Sequence, residues 1–141
     1  MIEDVYQTDL LKLAAQARGA GRLPEPDASA TVDNPLCGDR ITIDLKLTDD
    51  RVAEIGYEVK ACILCQASAT VIGRHAPGRT AEELRSTAAD VEAMLKGRAD
   101  APGGEWAEFA AFEPVRRAKS RHDCVMLPFM ALSRALAPSA G

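Results

Sequence analysis

Four cysteines and one aspartate carry the chemistry open to this chain. Cys37 lies in "NPLCGD", residues 34–39; Cys62 and Cys65 lie in "ACILCQAS", residues 61–68; Cys124 closes "RHDC", residues 121–124. Thiolate is the form of cysteine that binds metals and attacks sulfur. Asp39, two positions after Cys37, can aim a hard carboxylate at whatever Cys37 faces, and Gly38 between them lets the backbone turn tightly. Cys62-x-x-Cys65 puts two thiols one helical turn apart on one face. Alone, that spacing fits a zinc knuckle or a redox dithiol. Cysteine also fills cores as a small apolar residue, so inert burial, metal ligation and sulfur reactivity all stand open at this point. Of the two histidines, His75 reads as an exposed helix end, and His122 is close enough in sequence to Cys124 to approach the same place.

These residues need elements to position them. Residues 4–17 have the apolar spacing of an amphipathic helix, through Val5, Leu10, Leu11, Leu13 and Ala14. "GAGRLPEP" breaks it with glycines and prolines. "ASATV", residues 28–32, reads as a first strand. Residues 41–48 alternate Ile41, Ile43, Leu45 and Leu47 with polar neighbours, the pattern of a half-buried strand. Residues 52–61 alternate again, with Ala53, Ile55, Tyr57 and Val59 on one face. Strands joined by a short polar turn form an antiparallel meander. From Cys62 the period becomes helical, to His75. A further helix opens with Thr80 and Glu83 as a capping box and closes at Lys96 and Gly97. "EWAEFAAF", residues 105–112, reads as a short helix ended by Pro114. A last helix runs over residues 124–137, with Pro128 near its start.

Strands follow one helix and precede the others, with no βαβ alternation. The expected fold class is α+β: a small antiparallel three-stranded sheet with helices packed on one face. In this layout Cys37, Cys62 and Cys124 all fall at element ends. Backbone donors are free there and side chains from distant segments can converge. A thiol at a helix N-terminus is further biased toward thiolate by the dipole.

Bulk properties narrow the function classes. The 141 residues suit a single domain spanning 1–141, with 47% hydrophobic and 27% charged residues. The net charge of -4 disfavours nucleic-acid binding, which wants a clustered positive surface, and "RRAKSRH" at 116–122 is too short to supply one. No apolar run approaches the ~18–20 residues that span a bilayer, and the acidic N-terminus does not look like a signal peptide. A cytoplasmic location is therefore expected, where four cysteines are not expected to pair as disulfides.

"NPLCGD", "ACILCQAS" and "RHDCVMLPF" together resemble the three cysteine motifs of the IscU/SufU/NifU-like iron–sulfur cluster assembly scaffolds, in that family's order and over nearly the whole chain. The long stretch between Cys62 and Cys124, with "FEPVRRAKSRHDC", resembles the SufU branch. The resemblance implies the same α+β fold and zinc held by Cys37, Asp39, Cys62 and Cys124. It also implies Cys37 as acceptor of persulfide sulfur from a SufS-like cysteine desulfurase, downstream iron–sulfur assembly proteins as further partners, and Arg121 as the arginine of the third motif. An IscU-like scaffold would use the same ligands for iron or a [2Fe–2S] cluster. A zinc-stapled interaction domain, without sulfur transfer, would use Cys65 with the other three cysteines. This chain departs from the family pattern in four ways. Ala61 stands where a glycine is usual and Cys65 where a serine is usual, Asp123 stands where the IscU type has histidine, and Leu-Pro-Pro-Val-Lys is absent.

Overall fold

The computed structural model describes residues 8–17, 21–34 and 38–137. Helix α1 is Thr8–Gln16; the strands are β1 Ala28–Asn34, β2 Asp39–Thr48 and β3 Arg51–Lys60; helices α2 Ile63–His75 and α3 Ala81–Leu95 follow. A 3-10 helix, Gly104–Arg117, then leads through the short turn Lys119–Arg121 into helix α4, His122–Leu136. The strands form one antiparallel sheet in the order β1-β2-β3. The fold class is the α+β arrangement expected from the sequence. Residues 4–7 of the first expected helix lie outside the described residues.

Ile41, Ile43 and Leu45 of β2 point into the core, opposite Val59, Tyr57 and Ile55 of β3. Helices α2 and α4 cover this face, and the core is completed by Leu64, Ile72, Phe109, Phe112 and Leu127. Ala53 does not share it. The pairing shifts between Lys46 and Leu47, so that Lys46 meets Glu54 and Leu47 meets Val52. This bulge leaves Ala53 over and turns Val52 inward, 1% exposed, while Ala53 faces solvent.

The other face of the sheet is also covered. Residues 21–27 run across it as a strap, and Asp44, which strict alternation places in water, is fully buried beneath them. Its carboxylate accepts from Arg22 Nε at 2.6 Å and Nη2 at 3.0 Å, from Ser29 Oγ at 2.6 Å and from the Leu23 N–H at 3.0 Å. The strap needs Gly56: a Cβ there would lie 2.5 Å from the Gly21 carbonyl oxygen and 3.0 Å from Leu23. Gly56→Ala is expected to lift the strap and destabilise the fold by about 1–3 kcal/mol, the cost of overpacking, read as a lower urea midpoint. An unchanged midpoint would show that the strap is not under this constraint.

Helix ends follow their sequence signals in α3. Thr80 Oγ1 accepts from the Glu83 N–H and Glu83 accepts from the Thr80 N–H, both at 3.1 Å. Gly97 has φ +74°, as a residue just past a helix end can. The segment 105–112 differs from expectation. It is part of a 14-residue 3-10 helix that runs through Pro114 rather than stopping there. Trp106, Phe109, Phe112 and Val115 recur every three residues, and all four are buried. Three residues per turn is the 3-10 period, which keeps that row on one side. The last helix also starts two residues earlier than expected, which moves Pro128 from its fifth residue to its seventh. Pro128 has no N–H for the carbonyl four residues back, at Cys124.

Candidate metal centre

The β2–β3 register builds the first half of the site. Arg40 pairs with Lys60, so Asp39, at the first position of β2, lies beside the turn that leaves β3. Asp39 shares the parity of Ile41 and faces the helices; it is 4% exposed. Cys62 follows β3 after Ala61 alone and is the N-cap of α2, with extended backbone (φ -67°, ψ 169°). Its N–H donates to Asp39 Oδ1 at 3.2 Å. Gln66 clamps the same turn, its Nε2 donating to the Ala61 carbonyl at 2.7 Å.

Helix α4 supplies the other half. Cys124 lies in its first turn and is fully buried. Ser68, buried in α2, donates from Oγ to the Val125 carbonyl at 2.7 Å, which fixes the helix bearing Cys62 against the helix bearing Cys124. The result is a convergence of one ligand atom each from Asp39, Cys62 and Cys124, all within 4.8 Å of one another. Two sulfurs held tetrahedrally by zinc at about 2.3 Å would lie roughly 3.8 Å apart, so the trio fits a single cation after small adjustments. Asp39 Oδ2 is buried and has no hydrogen-bond partner among the described residues. A buried carboxylate oxygen is costly unless something satisfies it, and a cation between two thiols would do so.

Cys37 lies outside the described residues, in the segment 35–37 between Asn34 and Gly38. Gly38, with φ +71°, takes the left-handed conformation that favours glycine. Cys65, at the third position of α2, is fully buried next to the trio but is not one of the three converging donors. Burial, then the negative charge of Cys62, Asp39 and Cys124, pushes its thiol well above the usual range. Arg121 is exposed at the N-cap of α4. Arg40, on the outer face, is taken up by Asp33, with Nε 2.6 Å from Oδ1. An open cleft of about 470 Å³ lined by Asp33, Asn34, Gly38, Asp39, Arg40 and Lys60 adjoins the site.

Neither histidine joins the trio. His122 Nε2 lies 3.0 Å from the Val115 carbonyl. His75 is half-buried rather than exposed, 2.8 Å from Glu108 and edge-on to Trp106. Sequence reasoning missed Gln66 and Ser68, the residues that fix the two helices. Neither carries a local signal that separates it from Thr70, another polar residue of the same helix.

A model of the NifU-like N-terminal domain matches residues 5–137. The chain belongs to this family. Among solved structures, the N-terminal part of a nitrogen-fixing NifU-like protein from Brucella abortus is similar, with 42% identity and a TM-score of 0.89, covering 96% of this chain and 94% of that one. The zinc-dependent sulfurtransferase SufU of Bacillus subtilis is 27% identical over 142 residues, 99% of this chain and 95% of that protein. The iron-sulfur cluster assembly scaffold protein IscU 1 of Archaeoglobus fulgidus is 32% identical over 80 residues, 57% of this chain and 52% of that protein. The match thus spans about half the length of that scaffold protein. Among the described residues of this NifU-like chain, no helix is long and apolar enough to cross a membrane.

Proposed function

We propose that the protein serves iron–sulfur cluster assembly in the cytoplasm as a zinc-dependent acceptor of persulfide sulfur from a SufS-like cysteine desulfurase. On this reading residues 1–141 act as one domain that serves downstream iron–sulfur assembly proteins. The convergence of Asp39, Cys62 and Cys124, with Asp39 Oδ2 left unsatisfied, carries it. Cys37 would be the fourth ligand. Three thiolates and a carboxylate hold a divalent cation with net negative charge, and the cation keeps thiols deprotonated at neutral pH.

The chain's residues divide the work. Cys62 and Cys124 are set in helices and fixed through Gln66 and Ser68. Cys37 directly precedes Gly38, which has a left-handed backbone and lines the open cleft. It is the thiol that can leave the site and attack the terminal sulfur of an enzyme persulfide, as in thiol–disulfide exchange. Exposed Arg121, beside Cys124, suits contact with a partner's acidic groups.

Two measurements test this. Freshly purified protein should hold about one zinc per chain. It should also accelerate the desulfurase, with Cys37→Ala returning turnover to that of the desulfurase alone. Turnover unaffected by Cys37→Ala removes Cys37 from the reaction.

A second reading is a scaffold that assembles and hands over a [2Fe–2S] cluster on the same residues. The aspartate among the donors favours it, because a carboxylate holds iron less firmly than a thiolate and eases release. Anaerobic reconstitution with iron and sulfide discriminates: a visible chromophore that passes to an apo acceptor supports the scaffold. The zinc-stapled interaction domain is disfavoured, since Asp39, and not Cys65, stands among the converging donors.

A further inference from the structure

We infer that Cys62 and Cys65 form a reversible oxidation site, in which a hydroperoxide drives a disulfide between them and so withdraws Cys62 from the metal centre. The inference rests on the metal reading above and adds a way to switch that site off. Cys62 is the N-cap of α2 and Cys65 its third residue. These are the two positions of a capping box, whose side chains turn toward each other. At α3 the same two positions are Thr80 and Glu83, whose side chains each reach the other's backbone N–H, a pair of cap bonds that Cys62 does not make at α2. Residues three apart in a helical turn also have Cα atoms about 5–5.5 Å apart, inside the range a disulfide bridges.

The two thiols are unequal in a way that orders the steps. Cys62 is partly exposed, where a hydroperoxide can reach it, whereas Cys65 is fully buried. The Cys62 thiolate attacks a peroxide oxygen, the O–O bond breaks and an alcohol or water leaves, giving the sulfenic acid. The Cys65 sulfur then attacks the Cys62 sulfur. The S–O bond breaks, the hydroxide leaves as water with the Cys65 proton, and the S–S bond forms. Sulfur has lost two electrons and the peroxide has gained them. A metal held by Cys62 blocks the first step, so the switch acts on the metal-free protein. Cys124 competes for the same sulfenic acid. It belongs to a separate helix, held by the Ser68–Val125 bond, whereas Cys65 shares Cys62's own turn.

The test is peptide mapping of full-length protein treated with hydrogen peroxide, without reductant, in metal-stripped and zinc-loaded forms. Trypsin should release residues 61–74 as one peptide carrying both thiols. In the stripped protein that peptide should lose two hydrogens and regain them with a thiol reductant, and zinc uptake should fall and recover in parallel. Cys65→Ser should instead carry Cys62 on to the sulfinic acid. A cross-link from Cys62 to Cys37 or Cys124, or a 61–74 peptide that gains oxygen without closing a disulfide, overturns the inference. Zinc protection separates the two readings. If the disulfide forms equally with and without zinc, the metal reading fails; if zinc binds and no disulfide forms in its absence, only this inference fails.

Discussion

Cys124→Ser is expected to lose zinc while Cys65→Ser keeps it. Both cysteines are fully buried and both substitutions are nearly isosteric, so packing changes little between them. They differ in position relative to Asp39 and Cys62: the Cys124 sulfur is one of three donors within 4.8 Å of one another, and the Cys65 sulfur is not. Replacing a ligating thiolate by a hydroxyl that stays protonated removes a charge and a strong soft donor. Outer-shell changes around metal sites already cost about 10–100-fold in affinity, so loss of a ligand should exceed about 100-fold. Competition with a chromogenic chelator measures it. Because metal bound only by the folded state adds to stability, Cys124→Ser should also abolish the rise in melting temperature that zinc gives the parent protein. Wild-type zinc affinity in Cys124→Ser would dismantle the centre. Equal losses in both variants would move Cys65 into it.

The second large effect is on stability, far from the thiols. Asp44→Ala should lower the melting temperature by roughly 5–10 °C. The Asp44 carboxylate is fully buried and accepts four hydrogen bonds, from Arg22, Ser29 and Leu23. Its removal leaves the Ser29 hydroxyl and the Leu23 N–H without that acceptor and frees the strap from the sheet. Arg22 and Ser29 are exposed, so water can take up their donors, and the loss is the net worth of the network, about 2–3 kcal/mol in all. Asp44→Asn keeps the shape but loses the charge facing Arg22, and should fall between the two.

The pH dependence of this network has a definite sign. Burial pushes the Asp44 carboxyl up, but the bonds from Arg22, Ser29 and the Leu23 N–H, with the Arg22 charge, together hold it below the usual carboxylate range. A carboxyl whose folded pKa is depressed stabilises the protein above its unfolded value. That stability is lost as pH falls below the ordinary carboxylate range and through the lower folded value. Acid unfolding of the parent should therefore be steeper than that of Asp44→Ala over this window. Parallel acid transitions would show that Asp44 contributes no pH-dependent stability.

Much of this was legible in the chain itself. The period of two in residues 41–48, the Thr80–Glu83 pair and Gly97 are local signals. Backbone sterics and capping act over a few residues, so the elements they mark are where sequence places them. The cysteines could be assigned to element ends for the same reason. Tertiary structure alone decided the rest. The bulge that exchanges Ala53 for Val52 comes from the pairing of β2 with β3, and the burial of Asp44 from a strap about twenty residues away in sequence. No periodicity within a strand reports what covers its far face. The 3-10 spacing of Trp106, Phe109, Phe112 and Val115 was present in the sequence, but an aromatic row reads equally as an α-helix until packing selects three residues per turn. Above all, Asp39, Cys62 and Cys124 lie 23 and 62 residues apart in succession. Their meeting depends on the β2–β3 register and on one hydroxyl, Ser68, holding two helices together. Convergence is a property of the packed chain because each of its parts is ordinary on its own element.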